Sequence, residues 1–128
     1  MNIILFLGAA LGLSSIMMAA YIDHALTLYL SGSSLKGLLT AVRYHQLYAV
    51  VVCVIGLALS NQVNLRMGSW LMWSAYIFSL GVFLFSFSIY FSTMTGVTGI
   101  SYFTPVGGIL LMIGWGCLIR AALFRMNQ

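Results

Sequence analysis

Acidic residues are almost absent from this 128-residue chain, which contains one Asp or Glu against five Lys or Arg. Charged residues make up 5% of the sequence, whereas a soluble domain carries charge on roughly a quarter or more of its surface residues. Hydrophobic residues make up 62%, and the combination excludes a water-soluble globular domain. The chain must therefore be in contact with lipid.

The small numbers of acidic residues, cysteines and cations also exclude several classes of function. Asp23 is the only acid, so the chain cannot supply the paired carboxylates of general acid–base catalysis. Cys53 and Cys117 fall inside apolar runs, where thiols behave as small apolar side chains, and we expect neither a disulfide nor a metal site. Five scattered cations are too few for a nucleic-acid-binding surface, so no nucleic-acid partner is expected.

Long hydrophobic runs dominate what remains. A transmembrane helix needs about 20 mostly apolar residues, and such a run is helical because lipid offers no water to its backbone groups. Four runs qualify, at about residues 3–30, 41–59, 68–91 and 105–124. We therefore predict an all-α integral membrane protein: one domain over residues 1–128 with four transmembrane helices in an antiparallel bundle. No basic segment precedes the first run, which favours a retained helix over a signal peptide.

The connections between the runs also carry predictions. A Ser-Gly-Ser-Ser breaker at residues 31–34 precedes a short amphipathic piece that we expect to lie on the outer interface. Thr104 and Pro105 are typical of a helix start, with the hydroxyl capping free amides and proline in the first turn. Positive charge is expected on the cytoplasmic side, and Arg66, Arg120 and Arg125 outnumber the cations of the opposite side. Both termini are therefore predicted to be cytoplasmic.

Small residues recur at helical spacing, which predicts the faces on which the helices meet. The face of the first run continues to Asp23, and that of the second run includes His45, so both side chains are expected to point inward. Five tyrosines and two tryptophans are predicted to form interfacial aromatic belts. The small faces are Gly8, Gly12, Ser15 and Ala19; Ala41, His45, Ala49, Cys53, Gly56 and Ser60; Ser74, Gly81 and Ser88; and Gly107, Gly114 and Ala121. The belts are Tyr21, Tyr29, Tyr44, Tyr90 and Tyr102 outside, and Trp70 and Trp73 inside.

A polar cluster is predicted at the outer end of the first two helices, where antiparallel packing brings six residues together. It comprises Asp23, His24, Arg43, Tyr44, His45 and Tyr48. Ionisable groups within membranes are costly and are functional candidates. Three interpretations are open: structural, with Asp23 paired to Arg43 or Lys36; a proton or small-solute conduit in an oligomer; or a haem b held between the axial ligands His24 and His45.

Several motifs together resemble a known family. They are Asp23-His24-Ala25-Leu26, Ala41-Val42-Arg43-Tyr44, Ser86-Phe87-Ser88-Ile89-Tyr90, Thr104-Pro105-Val106-Gly107-Gly108 and Gly114-Trp115. These resemble the bacterial inner-membrane family catalogued as domain of unknown function 423, which is related to eukaryotic transmembrane protein 256. The resemblance implies a multi-pass inner-membrane protein of four helices with no established activity. The chain departs from the family pattern at the start of helix two. His45 stands where the family tends to have glutamine, and Tyr48 stands where it tends to have histidine.

The function expected from these features is that of a small structural or accessory subunit or scaffold. Its partners would be membrane lipids and either other membrane proteins or further copies of itself. The oligomeric conduit is the first alternative and the haem b carrier the second. Outside that last alternative no cofactor is expected.

Overall fold

The computed structural model describes residues 1–61 and 64–125, and within them four helical spans are long and apolar enough to cross a membrane. The predicted all-α membrane fold class is thereby confirmed. The first two spans are α1 (Ile3–His24) and α2 (Gly32–Ser60), the third combines α3 (Leu65–Val82), a π-helical turn (Phe83–Phe87) and α4 (Ser88–Thr95), and the fourth is α5 (Phe103–Arg125). Short 3-10 turns, Leu26–Leu28 and Thr98–Tyr102, precede α2 and α5.

The second helix begins at Gly32, well before the predicted position 41. Gly32 has a φ of 65°, a left-handed conformation that reverses the chain immediately before the helix continues unbroken. Leu38 is fully buried and packs with Ile22 of α1 and Tyr90 of α4. The prediction of a separate interfacial piece over residues 31–40 is therefore wrong, because tertiary packing extends the helix through it.

Glycines bring α1 and α2 into close contact. A Cβ atom added to Gly8 would lie 2.6 Å from the backbone nitrogen of Cys53, and one added to Gly12 would lie 3.9 Å from the Cβ of Ala49. Ser15 is buried on the same face. The predicted small face of α1 is confirmed, and these contacts set an antiparallel register in which position 8 lies beside 53 and position 12 beside 49.

The third span and α5 meet through the other two small faces. Ser74, Gly81 and Ser88 are buried on one side, and a Cβ added to Gly114 of α5 would lie 2.6 Å from the ring of Phe78. Extensive contacts thus join α1 to α2, α2 to the third span, and the third span to α5. The bundle is built outward from α2 and α3, and α1 packs mainly on α2.

The third span contains an irregularity that its hydrophobic pattern does not indicate, the π-helical turn at Phe83–Phe87. Gly107 of α5 packs directly against this turn: a Cβ there would lie 2.8 Å from the Cα of Phe85 and 2.7 Å from the carbonyl oxygen of Gly81. The widened turn places the Ser86 hydroxyl 2.8 Å from the carbonyl oxygen of Ala41, to which it donates. The third span is therefore not a regular α-helix throughout, although residues 68–91 form one continuous apolar run.

The start of α5 also differs from the prediction. The helix begins at Phe103, so Thr104 lies inside its first turn. The Thr104 hydroxyl is hydrogen-bonded to the Ser88 hydroxyl at 2.6 Å and joins α5 to α4. Pro105 lies in the first turn as predicted, where its missing N–H leaves no intrahelical bond unmade.

Replacing Gly107 with alanine tests the close approach of α5 to the π-helical turn. We expect Gly107→Ala to destabilise the folded protein by about 1–3 kcal/mol, because the new methyl group meets backbone atoms that cannot move aside. Gly116→Ala is the matched control, since a Cβ there has nothing within 4 Å. The control should be neutral or slightly stabilising, because alanine favours helix over glycine. Thermal unfolding in detergent measures both, and equal midpoints would contradict the assignment.

Candidate functional site

The six residues of the predicted polar cluster do not form one group. Asp23, His24, Arg43 and Tyr44 are exposed, whereas His45 and Tyr48 are buried. The buried face of α1 repeats every seven residues, at Gly8, Ser15 and Ile22, and so reaches Ile22 and not its neighbour. The prediction that Asp23 points toward the other helices is therefore wrong. The prediction that His45 faces inward is confirmed, with none of its surface exposed.

His45 lies near the middle of α2, and the residue it contacts on α1, Ser14, lies near the middle of that helix. By the register that Gly8 and Gly12 set, His24 lies beside position 37 of α2, eight residues from His45. At 1.5 Å per residue this is a difference in depth of about 12 Å. The structure therefore does not bring His24 and His45 together, and it places His45 in the interior of the bundle, not at its outer end.

Both ring nitrogens of His45 are hydrogen-bonded. Nε2 lies 3.2 Å from Oγ of Ser14, and Nδ1 lies 3.2 Å from the hydroxyl of Tyr90. The Ser14 hydroxyl donates its proton to the carbonyl oxygen of Leu11 at 3.0 Å, so it accepts from Nε2–H. Nδ1 then accepts from the Tyr90 hydroxyl. The contacts thus fit a neutral imidazole that links α1, α2 and α4 with every polar atom bonded.

Tyr90 belongs to this network, although the sequence pattern predicts it in the outer aromatic belt. Tyr90 is 3% exposed, so its predicted place in the outer aromatic belt is wrong. Its hydroxyl lies 3.2 Å from Nδ1 of His45, so the side chain enters the bundle. The one available signal is the spacing of four from Ser86, which is buried on the same face.

A second polar contact lies beside the first. The indole Nε1 of Trp115 on α5 donates to the hydroxyl of Tyr48 at 2.9 Å, and the ring of Phe78 lies 5.0 Å from that of Tyr48 and 5.4 Å from that of Trp115. Ser74 donates to the carbonyl oxygen of Gly114 at 3.0 Å. With the Ser14–His45, Ser86–Ala41 and Ser88–Thr104 bonds, these contacts join α1 to α2, α2 to the third span and to α5, and the third span to α5. Such bonds between helices stabilise membrane bundles because lipid cannot replace them.

Gln46 differs from these residues because it is exposed. It is the central residue of the 29-residue helix α2, and it forms no hydrogen bond with any residue that the structure describes. It lines an open groove of about 410 Å³ between α1 and α2. Among the residues that line the groove with it are Gly8, Ala9, Gly12, Ala49 and Cys53.

A metal centre is not suggested by the part of the chain that the structure describes. Residues 1–61 and 64–125 contain no group of three or more His, Cys, Asp or Glu side chains placed to hold a metal ion. Within these described residues Asp23 forms no ion pair with Arg43 or Lys36, and all three side chains are exposed. The chemistry of the interior is therefore that of neutral hydrogen-bonding groups.

Comparison with known proteins links the chain to membrane proteins whose activity is not known. A family model described as "Protein of unknown function (DUF423)" matches residues 18–108. The chain is 30% identical over 123 residues to a UPF0382 membrane protein of Staphylococcus epidermidis, covering 96% of this chain and 97% of the relative. It is 23% identical over 119 residues to the UPF0382 inner membrane protein YgdD of Escherichia coli, covering 93% and 88%. No solved structure matches.

Removal of the Tyr90 hydroxyl tests the His45 network. We expect Tyr90→Phe to lower the free energy of unfolding by about 1–2 kcal/mol, because Nδ1 of the buried imidazole loses its hydrogen bond. Tyr102→Phe is the matched control, since Tyr102 is 82% exposed. The control should leave the thermal midpoint in detergent unchanged. A midpoint for Tyr90→Phe equal to that of the control would show that the network contributes nothing to stability.

Proposed function

Because the chain belongs to the DUF423 family of proteins of unknown function, with a relative in Escherichia coli named as an inner membrane protein, we propose that it is a small structural or accessory subunit or scaffold of the bacterial inner membrane. It acts by contact with other membrane-spanning helices and with lipid. The observation that carries this proposal is the position of Gln46.

Gln46 places a carboxamide at the centre of a membrane-spanning helix, and no residue in the described ranges 1–61 and 64–125 bonds it. Transfer of an amide to hydrocarbon without a hydrogen-bond partner costs several kcal/mol. At 1.5 Å per residue the 29-residue helix is about 43 Å long, so Gln46 lies about 21 Å from either end of it. A polar group from another membrane-spanning helix removes this cost, and glutamine is among the residues that join helices in this way.

The groove around Gln46 suits a helix. Its lining includes the small residues Gly8, Ala9, Gly12 and Ala49, together with the larger Ile16, Val50, Val54 and Leu57. Small residues let a second backbone approach closely, which strengthens both dispersion contacts and interhelical hydrogen bonds. The groove therefore supports docking of a helix with the amide at its centre.

The interior supports a structural role for the remaining polar residues. His45, Ser14 and Tyr90 satisfy one another, and they are separated from Asp23 and His24 by a difference in depth filled with apolar side chains, including Ile22 and Leu38. A conduit needs a continuous polar path and a haem b needs two facing ligands, so the geometry favours the accessory role over both alternatives. Proton flux in liposomes and the Soret absorption of freshly purified protein test the two alternatives directly.

Substitution of Gln46 tests the accessory role. We expect wild-type protein, extracted from its native membrane in mild detergent, to run as a particle well above the 14.0 kDa of one chain and its bound detergent. Gln46→Leu should release the single chain, because leucine keeps the bulk of the side chain and removes the amide. Met112→Leu, on the exposed side of α5, is the control and should leave the particle intact. A wild-type particle containing one chain and lipid alone would overturn the proposal.

Reporter fusions test the orientation. Arg66 begins the third span and Arg120 lies near the end of the fourth, and both are exposed at the end of the bundle where α1 begins. We propose that this end is cytoplasmic. A fluorescent protein fused after Gln128, which lies outside the described residues, should fluoresce, and alkaline phosphatase fused there should be inactive. Phosphatase inserted at Gly96 should be active, and the reverse pattern would contradict the orientation.

A further inference from the structure

We infer that one face of α2, formed by Lys36, Thr40 and Arg43, binds the phosphate headgroup of an anionic phospholipid. The three residues are spaced i, i+4 and i+7, so they lie on one side of the helix, and all three are exposed. The residues that line the Gln46 groove do not include them. The inference about this basic face therefore does not depend on the helix proposed to bind in that groove.

The charges of the basic face have no counter-ion among the described residues. Neither Lys36 nor Arg43 forms an ion pair or a hydrogen bond with any residue in the ranges 1–61 and 64–125. Asp23 is the only acid in the sequence, and it is not paired with either of them. A charge next to hydrocarbon is costly unless an opposite charge neutralises it. An anion from outside the chain removes this cost.

Thr40 adds a hydroxyl donor between the two cations. The hydroxyls of Thr27 and Thr95 donate to the carbonyl oxygen four residues earlier in the chain. Thr40 forms no such bond with any residue that the structure describes. A phosphate group has several strong acceptor oxygens, and an ammonium, a guanidinium and a hydroxyl supply only donors to it. The chemistry of the basic face is therefore complementary to a phosphate.

Depth in the membrane places the basic face at a lipid headgroup. The 29-residue helix α2 is about 43 Å long and the hydrocarbon is ~30 Å thick, so a centred helix extends about 6 Å beyond it at each end. Lys36 lies about 6 Å from the start of α2, at this boundary, and Arg43 lies about 10 Å below it. Helical side chains lean toward the start of their helix, and a long arginine side chain extends back toward the interface. The guanidinium of Arg43 thus approaches the level of the lipid phosphates from below.

The net charge of the basic face selects the class of lipid. A zwitterionic headgroup carries a cation of its own, which repels Lys36 and Arg43, whereas an anionic headgroup carries a net negative charge. Basic residues near a membrane surface favour anionic lipids for this reason. A soluble anion is less suited to the site, because Arg43 begins within the apolar part of the membrane, which a free anion does not enter.

Native mass spectrometry of the purified full-length chain in a neutral detergent tests the inference, with phosphatidylglycerol or phosphatidylcholine added as the probe. The wild-type chain should bind the first phosphatidylglycerol about 5- to 30-fold more tightly than phosphatidylcholine. Arg43→Gln and Lys36→Gln should each raise the dissociation constant of phosphatidylglycerol about 3- to 6-fold and change that of phosphatidylcholine less than about 2-fold. Arg43→Lys should keep most of the selectivity, because it keeps the charge.

Arg66→Gln is the matched control, because it removes the same charge from an exposed residue at the opposite end of the bundle. It should change the dissociation constant of phosphatidylglycerol less than about 2-fold. Thermal midpoints of all variants show that each is folded. Equal affinity of the wild-type chain for the two lipids, or equal weakening by Arg66→Gln and Arg43→Gln, would overturn the inference. Displacement of phosphatidylglycerol by inorganic phosphate would also overturn it, because the basic face would then bind a soluble anion.

Discussion

Hydrocarbon offers no hydrogen-bond partner, and the interior of this protein is arranged around that constraint. Buried hydroxyl groups donate to carbonyl oxygens of neighbouring helices, as Ser74 does to Gly114 and Ser86 to Ala41. The imidazole of His45 is bonded at both nitrogens. Among the described residues no buried side-chain nitrogen or oxygen lacks a partner. The polar residues of the bundle therefore act as fixed cross-links between spans, which specify how the helices pair where apolar packing alone would be permissive.

Close backbone approach makes those cross-links geometrically accessible. Gly8 and Gly107 stand where an added Cβ would meet backbone atoms of the adjoining span. The π-helical turn opposite Gly107 shifts the residues after it relative to a regular helix, and Ser86 within the turn bonds to α2 while Ser88 just beyond it bonds to α5. The motif around Thr104 and Gly107 is thus explained as a packing element that joins the irregular third span to the fourth.

Gln46 is an exception to the hydrogen bonding of the interior. Its exposed amide distinguishes two parts of the protein surface. Most of the exposed surface is apolar and needs nothing beyond lipid. The groove between α1 and α2 is lined by small and larger apolar residues and by Gln46, whose amide forms no hydrogen bond with any residue that the structure describes and finds no partner in lipid. Because hydrocarbon offers no hydrogen-bond partner, this groove is the part of the exposed surface where contact with another helix is favoured over contact with lipid. Contact with other helices at this face is consistent with a family whose members are membrane proteins without a known activity.

Composition alone determined that the chain is a membrane protein, because so few charged and so many apolar residues are incompatible with a water-soluble fold. The length of the apolar runs determined the four spans. Helical spacing determined the small faces and the inward direction of His45. Tertiary structure alone decided that Ile22 and not Asp23 continues the face of α1, since a difference of one residue rotates a side chain by about 100°. It also decided that Tyr90 enters the bundle and that Gln46 stays outside, because such choices depend on the position of a neighbouring helix and not on the helix that carries the residue.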